Sequence, residues 1–377
     1  MEVSYFFRKK RLHAFSIESL FDNVQAQVAE TTSFKANKFE VPSIRNIFVN
    51  IFKSRSSQGT VNHITGDIHY VSLGMKKRNT VLTIHDCVFL TKYNKWNLKY
   101  WMFKFFWYQL PMWRANTITV ISEKTKRELI NLTGVRAEKV KVVPNFFDPR
   151  FEFAPKQFNT QKPRILQIGT KENKNIHNLA KALKGVNCEL HIIGSLDVET
   201  QLVLQENKID FKTHTNLSFD ELKRQYILCD MVVFASTYEG FGLPILEACA
   251  VGRPLVTSRI SPMDEIADDA ACKVNPYNVL DIRRGVLKVI ENETYRDQLV
   301  NNGWKMRYKY SIDNITNKYT ALYEEIATQP ASEFFMFRQA KAAMGTRCPS
   351  SRRNGCALRG SNRCAGSQHG DRRRVQS

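Results

Sequence analysis

No stretch of this 377-residue chain holds the roughly 18 consecutive apolar residues that a membrane-crossing helix needs. The opening, MEVSYFFRKKRLHAF, puts its apolar part before its charges and has no small-residue cleavage site, so no secretory leader is expected. Eight cysteines are present, at 87, 188, 229, 249, 272, 348, 356 and 364, and none stands in a C-x-x-C pair. Small buried thiols in a reducing, cytoplasmic compartment are therefore expected in place of disulfides or zinc. Acid is scarce as well: 36 Asp and Glu face 56 Lys and Arg, a net charge of +20. Such a surplus points to phosphate-rich partners, whether nucleic acid, anionic lipid or a pyrophosphate-bearing ligand. Part of it sits in residues 331–377, with ten basic residues against Glu333 and Asp371. That tail lacks hydrophobic periodicity and reads as a basic disordered segment, or as translation out of the original frame, and is set aside from fold reasoning.

What remains suits two domains. The most informative stretch is ASTYEGFGLPILEACAVGR, residues 235–253. It follows an apolar strand, Met231–Phe234, and turns through Gly240 and Gly242 into a helix opened by Leu243 and Pro244. Proline fits a first helical turn because its missing N–H would be orphaned there anyway. Glycines let a ligand approach the main-chain amides, and a helix start reached this way is an anion site. Glu239 and Glu247 could share one solvated helix face, but Gly240, Gly242 and Pro244 prevent a single helix from carrying both. The local reading is a phosphate-bearing ligand at a helix N-terminus, with carboxylates left for hydroxyl groups.

Short apolar strands alternate with helical segments along the chain, the pattern of an α/β protein with parallel sheet. Strands are predicted at 3–7, 80–84, 117–121, 140–143, 164–168, 189–193, 231–234 and 254–257, and Val61–His69 reads as a buried strand ending in a polar loop. Val41–Phe52 reads as strand and helix without a fixed boundary. Ser122 opens a helix to about Leu132. Ser218 with Glu221 has capping-box spacing. Helices are also predicted to about Leu183, over 279–291 and 294–309, and near 312–327.

Three features lie in the first half. Arg8–Lys9–Lys10–Arg11 follow the first strand, where a solvated loop is the plain reading. Two strands end in His/Asp combinations: Asp67 and His69 close the segment that starts at Val61, and His85 and Asp86 follow the strand at 80–84. Ligands of open α/β sheets sit outside the carboxyl ends of strands. Residues 92–114, KYNKWNLKYWMFKFFWYQLPMWR, are dense in aromatics and lysines. They suit an amphipathic helix at a membrane interface, and equally a core helix with a lysine edge.

Together these residues resemble retaining glycosyltransferases of the GT-B fold, family 4 in particular, of the bacterial surface-polysaccharide type. The resemblance is carried by EGFGLPILEA (239–248), an E-x7-E element. Ile168-Gly169-Thr170 with Lys174-Asn175, Val142-Val143-Pro144-Asn145 and Ser261–Ile266 support it, over residues 60–330. It implies two Rossmann-like domains whose parallel sheets face a cleft. The acceptor domain would span 1–150, a linker 151–163, the nucleotide-sugar domain 164–310, and a return helix 311–328 packing back on the first domain.

The resemblance also implies roles. Glu247 would take ribose hydroxyls and Glu239 those of the transferred sugar. The amides of Phe241, Gly242 and Leu243 would face sugar and diphosphate. Lys174, with Gly169, Thr170 and Lys171 about it, would neutralise the leaving diphosphate. Thr215, Asn216 and Leu217 would flank the base. His85 would stand at the anomeric centre, so His85, Glu239 and Lys174 form the expected catalytic group. Apart from what the resemblance implies, Arg8, Lys9 and Arg11 are candidates for binding a lipid-pyrophosphate acceptor, and Asp67, His69 and Asp86 at the strand ends are further acceptor candidates.

The chain departs from the family pattern where Thr170 replaces a common arginine and where Arg8–Arg11 replace a Gly-Gly turn. No Asp-x-Asp occurs, so neither a catalytic metal nor any other cofactor is expected. The expected activity moves a hexose from a GDP- or UDP-sugar to a polysaccharide or lipid-linked glycan, in the cytoplasm at the inner face of an anionic membrane. A catalytically idle GT-B partner subunit and a sugar-nucleotide epimerase are the competing readings. Nucleic-acid binding is not expected, because no recognition motif accompanies the charge.

Overall fold

The computed structural model describes residues 1–9, 16–92 and 96–329. Lys10, Arg11, Lys95 and the 331–377 tail lie outside them. Among the described residues the strands form two six-stranded sheets, with parallel pairing throughout. The first contains β1 (Glu2–Phe7), β2 (Lys35–Glu40), β3 (Val61–Ile64), β4 (Thr80–Ile84), β5 (Thr117–Val120) and β6 (Val140–Val142), in the order β2-β1-β3-β4-β5-β6. The second contains β7 (Arg164–Ile168), β8 (Glu189–Ile193), β9 (Phe211–His214), β10 (Met231–Phe234), β11 (Leu255–Ser258) and β12 (Cys272–Val274), in the order β12-β11-β10-β7-β8-β9.

Burial explains which strands the sequence announces. Every residue of β4 (TVLTI) and β10 (MVVF) is buried, because helices cover both faces of a parallel sheet. The edge strands β2 (KANKFE) and β9 (FKTH) carry exposed lysines that discourage edge-to-edge pairing. They have no apolar run, and the sequence reading passed over both. It also passed over the helices Val198–Glu206 and Met263–Ala267 and over β12. The unresolved strand-and-helix segment at 41–52 is a turn followed by the helix Ile47–Ser56, capped by the Asn46 side chain on the Val49 amide.

The strand orders fix where ligands can sit. Outside β1 and β7 the winding direction reverses, which opens a crevice between β1 and β3 in one sheet and between β7 and β10 in the other. Contacts between the segments after β5 and after β10, described below, show that the carboxyl ends of the two sheets face each other.

The last helix, Ile312–Thr328, buries Ile315, Tyr319, Leu322, Tyr323 and Ile326 against Val3, Tyr5 and Phe21 of the first domain. A polar network pins it. The buried His63 ring bonds the Tyr323 hydroxyl at 2.6 Å through Nδ1 and the Thr83 hydroxyl at 2.7 Å through Nε2. Burial lowers the His63 pKa to about 3, so the ring stays neutral with both nitrogens partnered.

Residues 98–114 form one continuous helical run: Leu98–Met102, a π-helical stretch Phe103–Gln109, then Leu110–Arg114. Tyr100, Tyr108 and Met112 are buried, whereas Trp101, Phe105, Phe106 and Trp113 are exposed. The segment thus packs one side into the core and leaves an aromatic ridge exposed on the other. Cys87, Cys188, Cys229, Cys249 and Cys272 are free and buried, and desolvation pushes each thiol above its usual range.

Candidate functional site

The second sheet's crevice is built by the turns after β7 and β10. Gly169 follows β7 with φ +83°, a conformation that other residues rarely adopt, and the Lys174 side chain packs close against it. The turn closes through Asn175, whose side-chain amide donates to the carbonyls of Ala235 (2.9 Å) and Pro276 (2.8 Å). The Thr237 amide donates to Asn173 O at 2.8 Å. These bonds tie the two turns into one unit.

Within that unit Lys174 Nζ lies 2.7 Å from Glu239 Oε1, and both side chains are mostly buried. Asn173 Nδ2 donates to the same carboxylate oxygen at 3.3 Å and to Tyr238 O at 2.8 Å. The Lys174 ammonium also stands 4.7 Å from the Phe234 ring centre. Beyond Glu239 the chain passes through Gly242, at φ +117°, into the helix Leu243–Val251. Pro244 is in its first turn and no side chain caps it. A helix start of this kind presents amides and the positive end of the helix dipole.

Glu247 lies one turn into that helix. The buried Tyr226 hydroxyl donates to its Oε2. Desolvation raises the Glu247 carboxyl to about 7, with the Tyr226 bond and Lys174 opposing the rise and Asp148 adding to it. Thr215, Asn216 and Leu217 follow β9, the edge strand two places from β7 in the sheet, Asn216 holding φ +54°. Thr170 packs against Gly194 after β8, and Lys171 is exposed.

In the first domain His85 ends β4. Its Nε2 donates to Thr65 O at 2.8 Å, and Thr65 is itself held by Phe6 O through amide and hydroxyl. The bond fixes the orientation of the ring. Asp86 accepts the Val88 amide at 3.0 Å, which orders the turn. His69 is buried. Its Nδ1 donates to Trp107 O at 3.0 Å, and desolvation lowers its pKa.

The two domains meet at the Glu239 loop. The Ser122 hydroxyl donates to Gly240 O at 2.9 Å, and Lys124 Nζ donates to Glu239 O at 3.0 Å. Lys124 also pairs with Glu128 at 3.0 Å and lies 3.5 Å from the Tyr238 ring centre. A Cβ on Gly240 would stand 3.1 Å from His85 O, so the Glu239 loop runs close beside the His85 backbone.

Two family models match adjoining parts of the chain: the Glycosyltransferase Family 4 model at residues 61–151 and the Glycosyl transferases group 1 model at residues 148–306. This chain belongs to glycosyltransferase family 4. An uncharacterized glycosyltransferase of Methanocaldococcus jannaschii is 29% identical over 57% of the chain and 61% of its own length. The O-antigen chain mannosyltransferase B of Escherichia coli is 26% identical over 56% of the chain and 61% of its own length. The chain thus matches about six tenths of the length of these relatives. The fold matches that of a solved Anabaena protein, HepE in complex with UDP, with a TM-score of 0.69 at 13% identity over 86% of this chain and all of that one.

For this family 4 chain the structure brings Lys174, Glu239 and the Gly240–Leu243 turn together, with the His85 backbone close by. The first-strand cations are a different matter. Arg8, expected to meet an acceptor phosphate, is paired with buried Glu18 and with Asp67, at 2.9 Å for the latter. Its charge is matched within the chain and bridges the crevice between β1 and β3. Lys9 reaches Pro42 O at 3.4 Å, and Arg11 lies outside the described residues. Sequence reasoning missed Tyr226, Asn173, Tyr238 and Lys124. Tyr238 directly precedes Glu239 and Asn173 directly precedes Lys174, so adjacency was a usable signal for both. Nothing in the sequence ties Lys124 to a loop more than a hundred residues away.

Proposed function

We propose that this chain transfers a hexose, with retention of configuration, from a nucleoside-diphosphate sugar to a glycan or lipid-linked glycan acceptor. The names of its O-antigen mannosyltransferase relatives favour mannose. A cytoplasmic site of action at the inner face of an anionic membrane completes the proposal.

The observation that carries this reading is the Lys174–Glu239 pair beside an uncapped helix start. A nucleotide sugar presents two chemistries in a row, a dianionic diphosphate and a polyhydroxylated ring. Lys174 with the amides of Phe241, Gly242 and Leu243 suits the first, and Glu239 suits the second. As the sugar–phosphate bond breaks, charge grows on the departing diphosphate, where a fixed ammonium in a water-poor site stabilises it most. Lys174 and the helix dipole then fill the part that a divalent metal would otherwise take. Glu247 accepts the ribose hydroxyls, its orientation fixed by Tyr226. Thr215–Leu217 border the base, and Gly169, Thr170 and Lys171 line the diphosphate. His85, whose backbone the Gly240 turn passes closely, is assigned to the anomeric centre. Asp67, His69 and Asp86 are assigned to the acceptor. Attack on the same face that the diphosphate leaves requires no protein nucleophile, in keeping with a Glu239 carboxylate already bound to Lys174.

Incubation with GDP-mannose and with UDP-hexoses, a crude lipid acceptor fraction, and NMR of the product's anomeric centre tests the proposal. An α-linked product from an α-linked donor supports it. Inverted product, or an epimerised donor with no transfer, contradicts it.

A further inference from the structure

Two helices of the first domain carry most of its exposed aromatic surface. On Ile47–Ser56, Phe48 is 84% exposed and Phe52 73%. On the 98–114 run, Phe105, Phe106 and Trp113 are exposed, Trp113 to 72%. Isolated exposed apolar residues are ordinary, but a contiguous set of large ones marks a contact surface.

The turn His69–Gly74 packs against both helices. Asn50 Nδ2 donates to the Tyr70 hydroxyl at 2.8 Å, and the Tyr70 and Trp107 rings stand 5.9 Å apart. On the other side the Ser72 hydroxyl donates to Pro111 O at 3.3 Å, and Arg114 donates to Met75 O at 3.0 Å. A Cβ on Gly74 would fall 2.7 Å from Ile51 O, so the turn lies flush against the first helix. The aromatic faces are therefore held in a fixed relation to the segment that bears Asp67 and His69.

Charge decides what this surface meets. Residues 41–66 contain three basic residues and no acid, and residues 87–122 contain five basic residues and no acid. A second copy docked face to face would set cations against cations. Aromatics among lysines and arginines, without acid, fit an interface that is apolar inside and anionic at its rim.

We propose that the helices Ile47–Ser56 and 98–114 form one platform that seats the chain on an anionic phospholipid bilayer, with the Asp67–Gly74 segment held between them. The bilayer is then the route by which a lipid-borne acceptor reaches that segment, a point that rests on the transfer reading above. The seating itself does not.

The test is flotation of the full chain with vesicles of phosphatidylcholine alone and of phosphatidylcholine with phosphatidylglycerol. Binding is expected to the mixed vesicles and to fall as salt rises. Phe48→Ser with Phe52→Ser, and separately Phe105→Ser with Phe106→Ser, are each expected to lower the bound-to-free ratio by about tenfold or more, since burying one such ring is worth at least that much. Lys53→Glu with Lys104→Glu is expected to remove the preference for phosphatidylglycerol. Thermal shift with UDP and GDP in solution checks that each variant is folded and separates this test from that of the donor site. Equal flotation of variants and wild type would overturn the proposal. So would absence of flotation, or dimers that dissolve on the same substitutions.

Discussion

Lys174 and Glu239 are bound at 2.7 Å where the second sheet reverses its winding direction. One comes from the turn after β7 and the other from the turn after β10, so the pair spans the crevice instead of lining one wall. A substrate with an anionic and a hydroxylated half meets both members at once. Lys174→Met is expected to lower kcat by about 10²- to 10³-fold, the usual cost of removing one fixed donor from a developing oxyanion. Nucleotide affinity should fall much less. Steady-state kinetics with nucleotide titration by calorimetry separates the two.

Glu247 predicts a pH dependence. Its folded carboxyl is raised to about 7 from 4.5 by burial. A raised acid contributes stability that is complete below its unfolded pKa and is lost as pH rises through the folded value. Relative to Glu247→Gln, the wild type should therefore lose stability between about pH 4.5 and 7, visible as a widening Tm gap in favour of the variant. Binding runs the other way. Ribose hydroxyls donate best to the carboxylate, so nucleotide affinity should weaken as pH drops below about 7, and Glu247→Gln should flatten that profile. An unchanged slope in the variant would count against the assigned role.

Lys124 offers a third prediction. It holds the Glu239 carbonyl from across the domain boundary while anchored by Glu128 and Tyr238. Lys124→Met should lower kcat by roughly tenfold, the scale of one or two lost charge-assisted bonds. The nucleotide contacts proposed above lie within the second domain, so KM for the donor should change little. Equal loss in kcat and in nucleotide affinity would mean that the contact serves the whole fold and not the loop.

Metal removal is the fourth. With Lys174 and the helix start taking the diphosphate charge, activity after dialysis against EDTA should match that of untreated protein. Restoration by magnesium or manganese of an activity lost on dialysis would contradict this.

Much of the second domain was legible because its signals are local. Gly242 before Leu243-Pro244 spells a helix start within a few residues, and β10 is apolar throughout. The Lys174–Glu239 contact was less so, since two residues 65 apart in sequence become neighbours only through the sheet order. Arg8 illustrates the opposite failure. Four successive cations fit a solvated loop or an anion site alike, and the sequence does not show that folding brings Glu18 and Asp67 to the first of them. The edge strands β2 and β9 escaped for a simpler reason: lysines that protect an edge also erase the pattern by which a strand is recognised.

The central claim is that Glu239 holds the transferred sugar while Glu247 holds the nucleotide. It is tested most directly by measuring, for Glu239→Ala and Glu247→Ala, both transfer from the preferred sugar nucleotide and affinity for the free nucleotide. Glu239→Ala should abolish transfer and leave nucleotide affinity close to wild type. Glu247→Ala should weaken nucleotide binding by about tenfold or more, as expected for a lost charged acceptor. Equal loss of nucleotide affinity in both variants, or transfer that survives Glu239→Ala, would contradict the account.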